Sequence, residues 1–137
     1  MLMPVTPYLM MNGNAKEAIQ FYEQALGAEV RTIITYGDMP DPPSEDLKDL
    51  IAHAKMIIEE SALMFSDAPG PSTITSGNQV TICISTNDVE KSKRFFEALS
   101  DGGRVKMPFQ ETSFSPGYGS VTDKFGVTFQ IDTEAPG

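Results

Sequence analysis

The chain repeats itself, and that restricts its fold more than any other feature. Residues 14–26, NAKEAIQFYEQAL, return in altered form at 88–99 as DVEKSKRFFEAL. One constant offset lays Phe21, Tyr22 and Glu23 on Phe95, Phe96 and Glu97, and Asn14 on Asp88. Such self-similarity means two copies of one supersecondary unit, each too small to cover its own apolar surface. The repeated stretch is helical: Ala18, Phe21, Tyr22, Ala25 and Leu26 recur at the i, i+3, i+4 spacing of one helix face. Asn14 and Asp88 stand where a side-chain oxygen caps a helix start by accepting orphan backbone N–H bonds. Gly27 and the pair Gly102-Gly103 follow as stop signals, because glycine adopts left-handed backbone cheaply.

Strand-like runs surround both helices. Residues 5–11 precede the first, and 29–36, 52–58 and 62–66 follow it. Residues 79–86 precede the second, with Val80, Ile82 and Ile84 alternating with Thr81, Cys83 and Ser85. Residues 104–109, 118–122 and 127–132 follow, the last two joined by a turn in which Asp123 caps and Gly126 supplies positive φ. Each half therefore reads β-α-β-β-β. The expectation is an α+β fold in one domain, residues 1–137, with a first module at 4–67 and a second at 79–132. The Pro-, Gly- and Ser-rich link at 68–77 is the connector. Residues 37–49 interrupt the first half with three prolines and five acidic residues, either as a solvated loop with a helical turn from Ser44 or as a lid over a pocket.

Charge excludes some partners. The net charge is −9 and the pI 4.4. No cationic footprint for a phosphate backbone is present, so nucleic acid is not an expected partner. No apolar run reaches the roughly 18–20 residues of a membrane span, so no membrane partner is expected either. Cys83 has no second cysteine to pair with, and no basic-then-apolar leader opens the sequence, so a cytoplasmic setting is expected.

Three stretches carry a resemblance. They are Pro7-Tyr8-Leu9 through 12–15 into Ala18, Ile19, Phe21 and Tyr22; His53-Ala54 through 61–67; and 107–112 through 118–127. In this order and spacing the chain resembles the PhnB-like branch of the glyoxalase/bleomycin-resistance (vicinal oxygen chelate) superfamily. The resemblance implies tandem βαβββ modules forming a cupped mixed sheet with the helices on its outer face. Phe114 and Phe129 stand where relatives commonly carry Trp, and Lys124 where Pro is usual. Enzymes of the group hold a divalent metal with His or Gln on the first strand of each half and Glu on the last. Carried over, those positions fall on Pro7, Thr81, about Phe65, and Gln130. Pro and Phe cannot ligate, and a hydroxyl with one amide falls short of three protein ligands. No metal and no cofactor are therefore expected, although a metal-dependent lyase, isomerase or dioxygenase is the alternative. Relatives also bear a ubiquinone-pathway methyltransferase label, yet no glycine-rich strand-loop-helix for S-adenosylmethionine is visible.

The implied activity is binding of a small organic ligand by a homodimer. Its expected site comprises His53, Thr81, Glu111, Phe114, Tyr118 and Gln130, an aromatic wall meeting a few polar groups. His53 is the only histidine and has no dyad partner of its own kind. Cys83, on the face of Thr81 and Ser85, is expected as a small lining residue, since nothing promises to stabilise a thiolate. The eight methionines read as adaptable core filler. The overall acidity favours cationic or neutral ligands by long-range steering.

Overall fold

The first helix, α1 (Ala15–Leu26), buries Ala15, Ala18, Ile19, Tyr22 and Leu26, the stripe its spacing predicts, and Gly27 ends it in left-handed backbone at φ 66°. The computed structural model describes residues 3–41, 45–68, 74–75 and 77–135. The chain divides into two compact units, Met1–Thr75 and Ser76–Gly137.

In the first unit, α1 lies between β1 (Tyr8–Met11) and β2 (Glu29–Thr35), and β3 (Ile51–Ile58) and β4 (Ser61–Asp67) complete a four-stranded sheet. The strand order is β1-β4-β3-β2, with β1 and β4 parallel and the other pairs antiparallel. The helix side of this sheet carries Leu63 and Phe65, and Phe65 stacks on Tyr22 at 5.8 Å between ring centroids. β1 starts three residues later than the alternation suggested, because Pro4 and Pro7 have no N–H to donate to a ladder.

The helix start corrects a further expectation. Asn14 does not cap α1 with its side chain, which accepts instead from the Asn12 amide at 3.3 Å. The acceptor is Asp67, at the end of β4: its Oδ1 takes the Ala15 N–H at 3.0 Å and its Oδ2 the Ile51 N–H at 2.9 Å. This buried carboxylate, 1% exposed, ties helix to sheet and sits at the positive end of the helix dipole.

The second unit repeats the plan. β5 (Ile82–Thr86), α2 (Val89–Ser100), β6 (Arg104–Gln110), β7 (Tyr118–Thr122) and β8 (Thr128–Thr133) form a sheet ordered β5-β8-β7-β6, again with one parallel pair, β5 and β8. Here the local cap holds: Asp88 accepts from the Glu90 amide at 2.9 Å. Phe96, Leu99, Val121, Phe129 and Ile131 make the core between α2 and the sheet. Gly119 admits that packing, since a Cβ there would lie 2.6 Å from the Phe96 ring. Thr133, at the end of β8, takes the position Asp67 holds in β4 and anchors α2 through Ser92, with oxygens 2.8 Å apart. β5 begins at Ile82, not 79, leaving Val80 exposed.

In the interrupting segment, Tyr36–Asp38 and Glu45–Leu47 form short 3-10 turns; the helical turn expected from Ser44 is the second of these. The bases are pinned together by Gly37 N–H donating to Lys48 O at 2.9 Å. Residues 42–44, and most of the 68–77 connector, lie outside the described residues.

Candidate functional site

Strand register sorts the second sheet into two faces. Phe129, Ile131 and Thr133 of β8 are buried against α2, so Thr128, Gln130 and Asp132 project from the opposite face. Cross-strand pairing puts Cys83 beside Gln130, Ser85 beside Asp132, and Tyr118 opposite Asp132 on that same face.

Three of the expected site residues form one hydrogen-bonded chain there. The Tyr118 hydroxyl donates to Gln130 Oε1 at 2.5 Å, and Gln130 Nε2 donates to Thr81 Oγ1 at 2.8 Å. Burial, followed by the nearby Cys83 and Asp132, pushes the Tyr118 phenol above its ordinary value of 10.0. In the folded chain a late tyrosine step is therefore expected in the 295 nm absorbance titration, and Tyr118→Phe removes it. The sign follows from linkage. The contribution of Tyr118 to stability is complete below pH 10 and is lost as pH rises through the higher folded value.

Phe114 stands over Tyr118 edge to face, with centroids 5.1 Å apart. The Phe114 ring nonetheless stays 64% exposed. The loop that holds it is built: Thr112 Oγ1 accepts from the Phe114 and Ser115 amides, and Thr112 N–H donates to Ser115 O. Ser115 is buried, and its Oγ accepts from the Gly117 and Thr133 amides at 3.2 Å each while lying 2.7 Å from Thr133 O. The aromatic is thus presented by a loop bolted to β8.

The other expected residues are placed differently. Glu111 is exposed at the start of this loop and has no ion pair among the described residues. His53 belongs to the first unit, on the side of its sheet away from α1, where Nδ1 lies 3.0 Å from the Tyr8 hydroxyl. Cys83 is exposed, with its sulfur 3.8 Å from Ser85 Oγ. A cleft of ≈ 740 Å³ opens at the far end of the second sheet, lined by Gly102, Arg104, Lys106, Thr122 and Lys124 among others, and takes in none of the six. Sequence reasoning missed Tyr8, Ser115 and Asp132. The two-residue alternation of β8 could have placed Asp132 beside Gln130.

The metal ligands implied by the resemblance do not fit. Phe65 is a correction in itself: it points to α1, not to the free face, where its neighbours Met64 and Ser66 project instead. Pro7 has no donor, and Thr81 and Gln130 already bond each other. Among the described residues, no three His, Cys, Asp or Glu side chains converge as a metal site would need. An adenosyl-sulfonium methyl donor fits no better. The sheets are mixed, and the strand-to-helix turns at 12–14 and 87–88 carry one glycine between them.

Comparison with known proteins agrees with the fold. Residues 3–132 match the family described as 3-demethylubiquinone-9 3-methyltransferase. The chain is 38% identical to protein YjdN of Escherichia coli over 95% of both chains. It superposes on the crystal structure of PA1353 from Pseudomonas aeruginosa with a TM-score of 0.89, at 33% identity over 97% of this chain and 98% of that one. It superposes on the Bacillus cereus PhnB protein, described with the same methyltransferase name, with a TM-score of 0.80, at 25% identity over 96% and 99%. The chain belongs to the 3-demethylubiquinone-9 3-methyltransferase family, PhnB-like proteins with the glyoxalase/bleomycin-resistance fold.

Proposed function

We propose that this protein binds a small organic molecule on the face of the second sheet turned away from α2, against Phe114 and Tyr118 and above the Gln130–Thr81 pair. One observation carries the reading: a loop fixed by buried hydrogen bonds holds an exposed phenylalanine over a tyrosine whose hydroxyl is already aligned. A rigid aromatic wall with a few oriented polar groups is the usual composition of a small-molecule site. Glu111 flanks the mouth, and His53 pairs with Tyr8 within the first unit.

Amide NMR titration with benzamide tests the reading. Shifts are expected at Thr81, Tyr118 and Gln130. Phe114→Ala is expected to weaken binding about 3- to 10-fold, the worth of an edge-to-face aromatic contact, with the fold unchanged. Shifts elsewhere, or unchanged affinity, would reject the site.

The chain is read as a single domain, 1–137, built of modules 4–67 and 79–132 and working in the cytoplasm. No helix among the described residues is long and apolar enough to cross a membrane. The chain is read as a homodimer. Tyr8, Met10 and Ile34 leave large apolar surface exposed on the first sheet, and unpaired strand edges favour association. Light scattering is expected to give twice the chain mass of 14.9 kDa, and a monomer at tens of micromolar would count against it. Methyl transfer to a demethylubiquinone, which the family description names, is the second reading. Methylated product formed by the purified chain would put it first.

A further inference from the structure

On the proposed ligand face, Asp132 is half-buried and its inner oxygen is left without a donor. Register sets it opposite Tyr118 on β7 and Ser85 on β5. Its Oδ1 is buried and accepts no hydrogen bond. Its neighbours do not serve it. The Tyr118 proton is committed to Gln130, and Ser85 Oγ makes its contact with the Cys83 sulfur. The sheet's cations are also distant. Arg104 pairs with Thr122, and Thr122 with Thr128, four residues along β8 from Asp132, roughly 13 Å at strand spacing. Lys106 and Lys124 line the cleft at that same far end. A half-buried carboxylate whose inner oxygen has no donor is short of compensation, which a positive charge at its outer edge would supply.

The adjoining chain of hydrogen bonds has a direction. Tyr118 donates to Gln130, and Gln130 donates to Thr81. The Thr81 oxygen thereby accepts, and its own hydrogen is left to donate outward. The high phenol value preserves this polarity into alkaline solution. The face therefore has an acceptor end, made of Asp132 and the lone pairs of the Tyr118 oxygen, and a donor end at Thr81.

We infer that this face selects organic cations, seating an amidinium or ammonium N–H group on Asp132 while the apolar body of the ligand rests on Phe114 and Tyr118. The inference rests on the binding reading above and names its ligand class. A cationic N–H group meets the outer edge of a half-buried carboxylate with a charge-assisted bond, which anions cannot form and neutral amides form only weakly. The net charge of −9 adds long-range attraction for the same class.

Benzamidinium, benzamide and benzoate share one shape and differ in charge and donor pattern. In amide NMR titrations of the full chain, benzamidinium is expected to shift the Tyr118, Gln130 and Asp132 amides and to bind at least tenfold more tightly than benzoate. Asp132→Asn is expected to shrink that preference below threefold, and Asp132→Ser to do the same should the asparagine find a partner of its own. Glu97→Gln removes the same unit of charge from an exposed position on α2 and is expected to leave the preference intact. Benzoate binding as tightly as benzamidinium at these amides, or a preference that survives both Asp132 variants, overturns the inference and leaves the ligand face standing. Probes that shift other amides, with affinities indifferent to Phe114→Ala, overturn the binding reading and the inference together.

Discussion

Asp67→Ala is expected to destabilise the chain by about 3–5 kcal/mol in urea denaturation, close to half of what a domain of this size has to lose. The carboxylate is 1% exposed, and each oxygen accepts one backbone N–H, from Ala15 and from Ile51. Hydrogen bonds to a charged group contribute roughly 1.5–3 kcal/mol each. Alanine removes both acceptors and leaves two N–H groups facing apolar surroundings. Asp67→Asn keeps one acceptor and turns an NH₂ toward the other N–H, so it is expected to recover less than half of the loss. Asn14→Ala is the contrasting variant. Its side chain makes no cap bond to α1, so it is expected to cost only a few tenths of a kcal/mol, against about 1 for a working cap. Equal losses from Asn14→Ala and Asp67→Ala would show that the cap is local after all.

That contrast marks the limit of what the sequence reveals. The repeat, both helices and the β-α-β-β-β order of each half were legible because they rest on local periodicity and composition. The N-terminal cap of α1 was not, because its acceptor comes from β4, 52 residues away, and position 14 held a residue of the right type. Phe65 shows a second limit. Counting from a turn locates a position only to within one residue, and in a strand one residue changes the face. The candidate site divides the same way. Thr81 and Gln130 were singled out through the resemblance and Phe114 and Tyr118 through the make-up of their stretch, and the structure joins Thr81, Gln130 and Tyr118 by hydrogen bonds and sets Phe114 against Tyr118. Ser115 and Asp132 were not found. A serine in a Gly/Pro-rich loop and an aspartate at the end of an alternating strand both look like surface residues, yet Ser115 is buried by its loop and Asp132 is half-buried with Oδ1 covered.

Gly103→Ala is expected to cost about 2–3 kcal/mol, more than Gly102→Ala at about 1–2, although the two glycines look interchangeable as a helix stop. Only Gly102 does what a stop signal requires, with φ at 76°. Alanine there is strained by its own backbone, while the neighbour its Cβ would meet is the Lys124 side chain at 3.3 Å, which can move aside. Gly103 is a glycine for another reason. A Cβ on it would lie 2.3 Å from the Thr122 carbonyl oxygen and 2.9 Å from Asp123 Cα, both backbone atoms. Relief therefore requires moving the β7–β8 turn away from the start of β6. That movement would strain the Arg104–Thr122 pairing and the two amide bonds that Asp123 Oδ1 accepts from Phe125 and Val127. The second unit should loosen at that end first, so amide hydrogen exchange in Gly103→Ala is expected to speed up at 122–128 before it does so in the α2 core. Gly102→Ala proving the more damaging, or exchange rising evenly through the unit, would show that the close approach is not what selects glycine at 103.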